Sequence, residues 1–141
     1  MSLQLSKALL EQIHHFCERS YPEEGAGFLL GTEGHNRIVQ DVFPLTNARE
    51  DAARSNRYLL RSEDYMKAER EAERRALELI GVFHSHPDHP SAPSEFDREW
   101  AQPHFSYLIT RVKGGRAIES RSWRLAEDRT QFAAEEIAIV E

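Results

Sequence analysis

The chain has 141 residues, 40% of them hydrophobic and 30% charged, the make-up of one globular domain large enough to bury a core. Lys and Arg number 18 against 24 Asp and Glu, and the net charge of -6 excludes a general nucleic-acid binder, which needs a basic face for phosphates. The single cysteine, Cys17, excludes an intrachain disulfide and any two- or four-cysteine zinc site, and no run approaches the roughly 18 apolar residues of a membrane span. The opening MSLQLSKALLEQ has neither an unbroken apolar core nor a small-residue cleavage site. No signal peptide is therefore expected, and the expected compartment is the cytoplasm. With no repeat, low-complexity tract or linker, residues 1–141 read as a single domain.

Leu5, Leu9, Ile13, Phe16 and Cys17 recur at helical spacing, and Tyr21-Pro22 ends that pattern. Ala26-Gly27-Phe28-Leu29-Leu30 reads as a buried strand, Gly31 to Gly34 as a turn, and Arg37 to Phe43 as a second strand. Residues 46–57 are polar and aperiodic and read as an exposed loop. Ser62 is a candidate N-cap for a helix to about Ala76, laced with charges of both signs. Leu77 to Phe83 is strand-like, and Ser94 to about Gln102 reads as a short helix stopped by Pro103. Phe105 to Val112, Gly114-Gly115, then Arg116 to Leu125 form the strongest hairpin signal in the chain. The ending FAAEEIAIVE fits helix or strand, and a short strand at Ile137 to Val140 is preferred. Helices interleaved with strands predict an α/β domain, a mixed β-sheet flanked by helices.

Chemistry concentrates in Gly81-Val82-Phe83-His84-Ser85-His86-Pro87 and in Ser94-Glu95-Phe96-Asp97. Residues two apart in a strand face the same way, so His84 and His86 can converge on one ion. Pro87, which has no N–H, is expected to stop the ladder there. Asp97 in the first turn of the next helix offers a third ligand. Three protein ligands plus water is the open pattern of catalytic zinc. Each part also has a plainer reading. His-x-His is common without a metal, and Ser94 with Asp97 is a helix capping pair that Pro93 strengthens. His89 is a rival ligand, but it sits in a loop between prolines and breaks the strand spacing. His14, His15 and His35 read as structural or solvated, and His104 carries no assigned role.

The combination His-x-His-Pro, six residues, then Ser-x-x-Asp resembles the motif of the JAMM/MPN+ zinc metallopeptidases. His84, His86, Ser94 and Asp97 fall on it without a gap. The family also has a glutamate some sixty residues upstream, just ahead of a strand, and Tyr21 to Gly31 is similar to that segment with Glu24 at the matching position. Asn47, the Tyr58 region and the helix after it, LIGVFHSHP and FSYLITRV extend the resemblance over essentially the whole chain. They point to the small bacterial members, which include enzymes that cut after the C-terminal Gly-Gly of ubiquitin-like sulfur-carrier proteins. Many relatives have a cysteine after the upstream glutamate where this chain has Gly25 and Ala26, a departure that leaves the ligands untouched. Long insertions of the kind used to clasp ubiquitin chains are absent.

The resemblance implies a cytidine-deaminase-like fold, and zinc held by His84, His86 and Asp97 that activates a water and polarises the scissile carbonyl. It implies that Glu24 is the general base, which later hands its proton to the leaving amine, and that Ser94 donates a hydrogen bond to the oxyanion. Strand parity lets only one of Glu23 and Glu24 face the site, and register with the family selects Glu24. No covalent intermediate is needed, so Cys17 is a core residue. The partner so implied is a ubiquitin-like or sulfur-carrier protein with a Gly-Gly tail, with no nucleic acid and no membrane. A zinc deaminase lacks support because its Pro-Cys-x-x-Cys half is missing. A non-catalytic MPN-type interaction module is the main alternative, although such modules typically lose ligands. Arg49, Arg54, Arg57 and Arg61 lie in or beside the 46–61 loop, either solvated or forming a lip for an acidic partner.

Overall fold

The computed structural model describes residues 2–45 and 60–140. The expected 46–57 loop lies outside them, as do Asn47, Tyr58 and all of the arginine group except Arg61. The first element is a strand, β1 (Ser2–Ser6), where helical spacing had suggested the beginning of a helix. Leu3 and Leu5 are fully buried on it, so Leu5 obeys a two-residue period that the longer pattern concealed. Ser6 then caps α1 (Lys7–Ser20), its hydroxyl accepting from the Leu9 N–H at 3.1 Å, and α1 buries Ile13 and Cys17.

Next come β2 (Ala26–Glu33) and β3 (Arg37–Leu45), paired antiparallel. The turn expected at Gly31 to Gly34 begins later, because β2 runs on to Glu33. Gly31 sits at a bulge, where a Cβ would lie 1.8 Å from the Ile38 carbonyl oxygen. Glycine is needed there for close backbone approach, not for a turn. Beyond Ile38, β3 parts from β1 and its outward donors are disarmed. Val42 N–H goes to Asp41 Oδ1 at 2.9 Å, and Pro44 has none to give.

The charged helix α2 (Ser62–Arg74) starts one residue earlier than expected, with Arg61 rather than Ser62 as N-cap and its N–H bonded to Asp64 Oδ2 at 2.9 Å. It ends in a Schellman arrangement. Ala76 is left-handed at φ 58°, and Leu77 N–H returns to the Ala72 carbonyl at 2.7 Å. The helix therefore stops short of Ala76.

β4 (Glu78–Pro87) pairs antiparallel with β2 and parallel with β5 (Ser106–Lys113). Pro87 does not stop the ladder, since it registers with Val112, and Asp88 N–H still reaches the Val112 carbonyl at 2.7 Å. Pro87 shares the parity of Ser85, whose N–H points the other way, to the Gly25 carbonyl. The missing donor of Pro87 thus faces the side where β2 has already ended, and no ladder bond is lost. The short helix α3 (Glu95–Trp100) lies between β4 and β5. β6 (Arg116–Leu125) returns from β5 through Gly114 and Gly115, both at positive φ as a primed hairpin turn requires. β7 (Phe132–Val140) is a full nine-residue strand, longer than the expected Ile137 to Val140. Its Ala- and Glu-rich first half has weak strand propensity, and pairing with β6 supplies what propensity lacks. Glu135 is held there by Ser122 Oγ at 2.8 Å and Arg124 Nε at 2.7 Å.

The sheet is mixed, as expected, but it is not open. Its order is β1-β3-β2-β4-β5-β6-β7, and β1 closes it into a barrel by parallel pairing with β3 on one side and β7 on the other. Alternation along the strands feeds two separate cores. Leu29, Phe83 and Leu108 join β1 and α1 in one, while Phe28, Val82 and Tyr107 join Ala68 and Ala72 of α2 in the other. The second core carries an aromatic cluster in which Tyr65 stacks on Phe105. α3 is fastened by Arg129, whose guanidinium donates to the carbonyls of Ala101 at 2.7 Å and Glu99 at 3.1 Å, while Arg98 reaches back to the Arg129 carbonyl at 2.9 Å.

The left-handed Ala76 yields a stability prediction. Ala76→Gly removes the Cβ strain at the end of α2 and is expected to stabilise the protein by roughly 0.5–1 kcal/mol net of chain entropy. Urea unfolding checks it: the midpoint rises with the slope unchanged. A lowered midpoint would contradict the left-handed cap.

Candidate metal centre

The end of β4 and the start of α3 bring three side chains together. His84 Nε2 and His86 Nε2 lie 3.2 Å apart. Asp97 spans both, with Oδ1 3.3 Å from His84 and Oδ2 3.1 Å from His86. The three ligand atoms all fall within 4.8 Å of one another, and all three residues are buried. His86 Nδ1 lies 2.8 Å from the Pro90 carbonyl, which can only accept, so Nδ1 carries the proton and Nε2 keeps its lone pair for the site. Full burial holds the His84 imidazole below its usual pKa, against the pull of Asp97, and keeps it neutral near pH 7, as a metal ligand must be. Burial pushes the Asp97 carboxyl up, but the two facing imidazoles outweigh it and hold the group below the usual carboxylate range. Two neutral imidazole nitrogens and one carboxylate, converging and walled from water, are a donor set suited to a borderline divalent cation such as zinc.

The capping reading of Ser94 and Asp97 also holds. Asp97 N–H donates to Ser94 Oγ at 3.1 Å, and Ser94 N–H donates to Asp97 Oδ2 at 2.8 Å. This capping box uses one lone pair of the Ser94 oxygen and leaves its O–H to donate elsewhere. Ser94 itself is exposed. Beside the triad lies a cavity of about 400 Å³ lined by Glu24, His86, His89 and Ser94, with Pro90, Ala92 and Pro93 as its apolar wall. Glu24 is 5% exposed at this cavity, whereas its neighbour Glu23 is half-buried and does not line it. His89 faces the same cavity but stays outside the three-residue cluster. A roomier groove of about 490 Å³ between α2 and β4 has an acidic rim with His104, at the far end of β4 from His84.

Sequence reading passed over the residues that hold the site in place. The Pro90 carbonyl fixes the His86 tautomer, and no side-chain pattern announces a backbone acceptor. Trp123 Nε1 donates to the Ser91 carbonyl at 2.9 Å, and Ser91 Oγ to Glu119 at 2.8 Å, pinning the 88–93 loop to β6. Ser85 receives the Gly25 N–H at 2.8 Å. Strand parity, which turns Ser85 away from its two histidine neighbours, was the available signal for it. Cys17 is fully buried, and burial pushes its thiol up to about 12, so it is no nucleophile. His14 is engaged with Ser120 at 2.8 Å, in keeping with a structural reading.

A His-His-Asp cluster at a strand end and helix start, beside a buried glutamate, is an arrangement that could hold a metal ion. Residues 6–126 match the model of the prokaryotic homologs of the JAB domain, and the chain belongs to that family. Its relatives are peptidases. A probable TtuB-protein conjugate cleaving protease of Thermus thermophilus is 33% identical over 82% of this chain and 74% of its own. The CysO-cysteine peptidase of Mycobacterium tuberculosis is 29% identical over 79% and 74%, and the desampylase of Pyrococcus furiosus 34% over 74% and 68%. A solution structure of a Desulfitobacterium hafniense protein superposes with a TM-score of 0.85 at 27% identity, covering 99% of this chain and 93% of that one. A JAB1/MPN domain protein from Archaeoglobus fulgidus, at TM-score 0.60 and 14% identity over 98% and 99%, shares the fold.

The geometry makes a metal-binding prediction. Added zinc is expected to raise the melting temperature, since a ligand at 100 times its dissociation constant stabilises by about 2.7 kcal/mol. His84→Ala and Asp97→Asn should lose that shift and His89→Ala should keep it. An undiminished shift in Asp97→Asn, or its loss in His89→Ala, would exclude this ligand set.

Proposed function

We propose that the chain is a zinc isopeptidase that hydrolyses the amide bond after the C-terminal Gly-Gly of a ubiquitin-like or sulfur-carrier protein. It works as a single cytoplasmic domain of residues 1–141, with a cytidine-deaminase-like arrangement of strand-end and helix-start ligands. The observation that carries this reading is the convergence of His84, His86 and Asp97 beside the cavity that Glu24 and Ser94 line. His84, His86 and Asp97 would hold the zinc. When bound there, zinc supplies a Lewis acid that lowers the pKa of water to about 7 and polarises a carbonyl.

The chain's own residues do the rest. Glu24 takes the proton of the attacking water on its carboxylate and passes it to the departing amine, so atoms and charge balance without a covalent enzyme intermediate. Ser94 keeps its oxygen fixed through the capping box and turns its O–H towards the developing oxyanion. The apolar wall of Pro90, Ala92 and Pro93 keeps the cavity poor in competing donors. The substrate class rests on the relatives, whose names place two of them on TtuB conjugates and on CysO-cysteine. A glycine pair suits a site where peptide backbone must come close to a buried ion, because it has no Cβ to hold the chain off.

Two measurements test the reading. Zinc-loaded protein is expected to cleave sulfur carriers conjugated through a Gly-Gly tail and to leave Ala-Ala tails intact. Equal cleavage of both rejects the tail requirement, and cleavage of neither favours the non-catalytic interaction module. Glu24→Gln is expected to keep its zinc and its melting temperature while losing about 10²–10⁴-fold in rate, the contribution of a positioned general base. Glu23→Gln should stay within a few-fold of wild type; an inactive Glu23→Gln beside an active Glu24→Gln would reverse the assignment.

A further inference from the structure

We propose that Ser85 is a positioning residue for Glu24, fixing the loop that carries the glutamate to the strand that carries both histidines. The proposal rests on the general-base reading of Glu24. Ser85 stands between His84 and His86 on β4 with its side chain turned to the opposite face, and it is fully buried. Two hydrogen bonds join it to Gly25. Ser85 N–H donates to the Gly25 carbonyl at 2.9 Å, and Gly25 N–H donates to Ser85 Oγ at 2.8 Å. An antiparallel ladder would hand the Gly25 N–H to the Ser85 carbonyl. Here the hydroxyl takes that place, which lets the chain leave the ladder at Gly25 with its donor still satisfied. Glu24 is the first residue beyond that point and enters the cavity.

On the core side the same hydroxyl meets the buried Cys17 thiol as a hydrogen-bond partner, and the Gly25 N–H is its partner from the loop. Cys17 and Phe83, both fully buried, belong to the core on this side of the sheet. A buried hydroxyl is costly unless it is bonded, and of its two partners the Gly25 N–H is the stronger donor and the one that touches the Glu24 loop. The loop has no slack on its other side either. A Cβ at Gly25 would meet Ser20 Oγ at 2.6 Å and the Phe16 ring at 3.1 Å, so the backbone lies pressed against the end of α1. At the loop's far end, Tyr21 Oη donates to Asp88 Oδ2 at 2.7 Å, and Gly114 N–H donates to Asp88 Oδ1 at 2.8 Å. Residues of the ligand strand and its first turn thus grip both ends of the loop. The distance between the base and the ion site is set within one rigid unit, and a displacement near 1 Å there is enough to cost about 100-fold in rate.

The test compares Ser85→Ala with Ser85→Thr, which keeps the hydroxyl. Ser85→Ala is expected to bind zinc as wild type does, to lose about 10- to 100-fold in kcat, and to leave KM within about twofold. Ser85→Thr should recover most of the kcat. Amide hydrogen exchange at Gly25 gives a readout independent of activity and of metal: protected in wild type and in Ser85→Thr, and faster by about tenfold or more in Ser85→Ala. In a Glu24→Gln background, Ser85→Ala should cost nothing further, because it acts only through Glu24. Wild-type kcat in Ser85→Ala, zinc lost in step with activity, an additive double variant, or an unprotected Gly25 amide in the wild-type protein would each overturn the proposal. Full activity of Glu24→Gln alone would instead overturn the base assignment, and the Gly25 exchange would still decide whether Ser85 holds the loop.

Discussion

One carboxylate ties the site together. Asp97 Oδ2 accepts the Ser94 N–H at 2.8 Å and lies 3.1 Å from His86, while Oδ1 lies 3.3 Å from His84. The same group starts α3 and balances two buried imidazoles. An ionised carboxylate that is 4% exposed is tolerable only with such partners. The helix start, the β4 terminus and the ligand cluster therefore share one carboxylate. The capping and metal-ligand readings of Ser94-x-x-Asp97 are not rivals: the cap aims the carboxylate, and the histidines give it a use.

The surrounding structure makes that carboxylate's position dependable. Parallel pairing of β4 with β5 runs without a register shift through His84, Ser85 and His86 to Pro87, so the ligand strand is held by its neighbour along the whole of the site. Arg129 ties down the last turn of α3 from the far side, and the Trp123 indole holds the loop between Pro87 and Ser94. Rigid supports of this kind are what a site needs if its ligands are to meet an ion without first paying to reorganise. They also explain why so small a domain spends buried polar groups here. Each is bonded to something whose place decides where a ligand sits.

Closure of the sheet has a functional side. A glutamate and a pair of histidines sixty residues apart meet because β2 and β4 are neighbours in the sheet, with Ala26 registered on His84. The β1 strand that completes the barrel contributes no residue to the cluster or its cavity, yet it buries Leu3 and Leu5 in the same core as the helix that presses on Gly25. Packing of α1 therefore reaches the Glu24 loop through Phe16 and Ser20.

The residue types and spacing of the sequence alone determined the hairpin at Gly114-Gly115 and the candidate ligands, because each depends on local geometry or on a pattern of chemically irreplaceable side chains, whereas the choice of Glu24 over Glu23 came from resemblance to the family. β1 was hidden because Leu5 fits both a two-residue and a helical period, and only parallel pairing with β3 and β7 chooses between them. Gly31 looked like a turn for the same reason: the carbonyl of Ile38 that excludes a Cβ comes from a different strand. β7 was underestimated because Ala133, Ala134, Glu135 and Glu136 favour helix by intrinsic propensity, and cross-strand contacts to β6 overrule it. Barrel closure, the Pro90 carbonyl behind His86 and the grip of Ser85 on Gly25 are relations between distant segments. They carry no local signature, and the tertiary structure alone decided them.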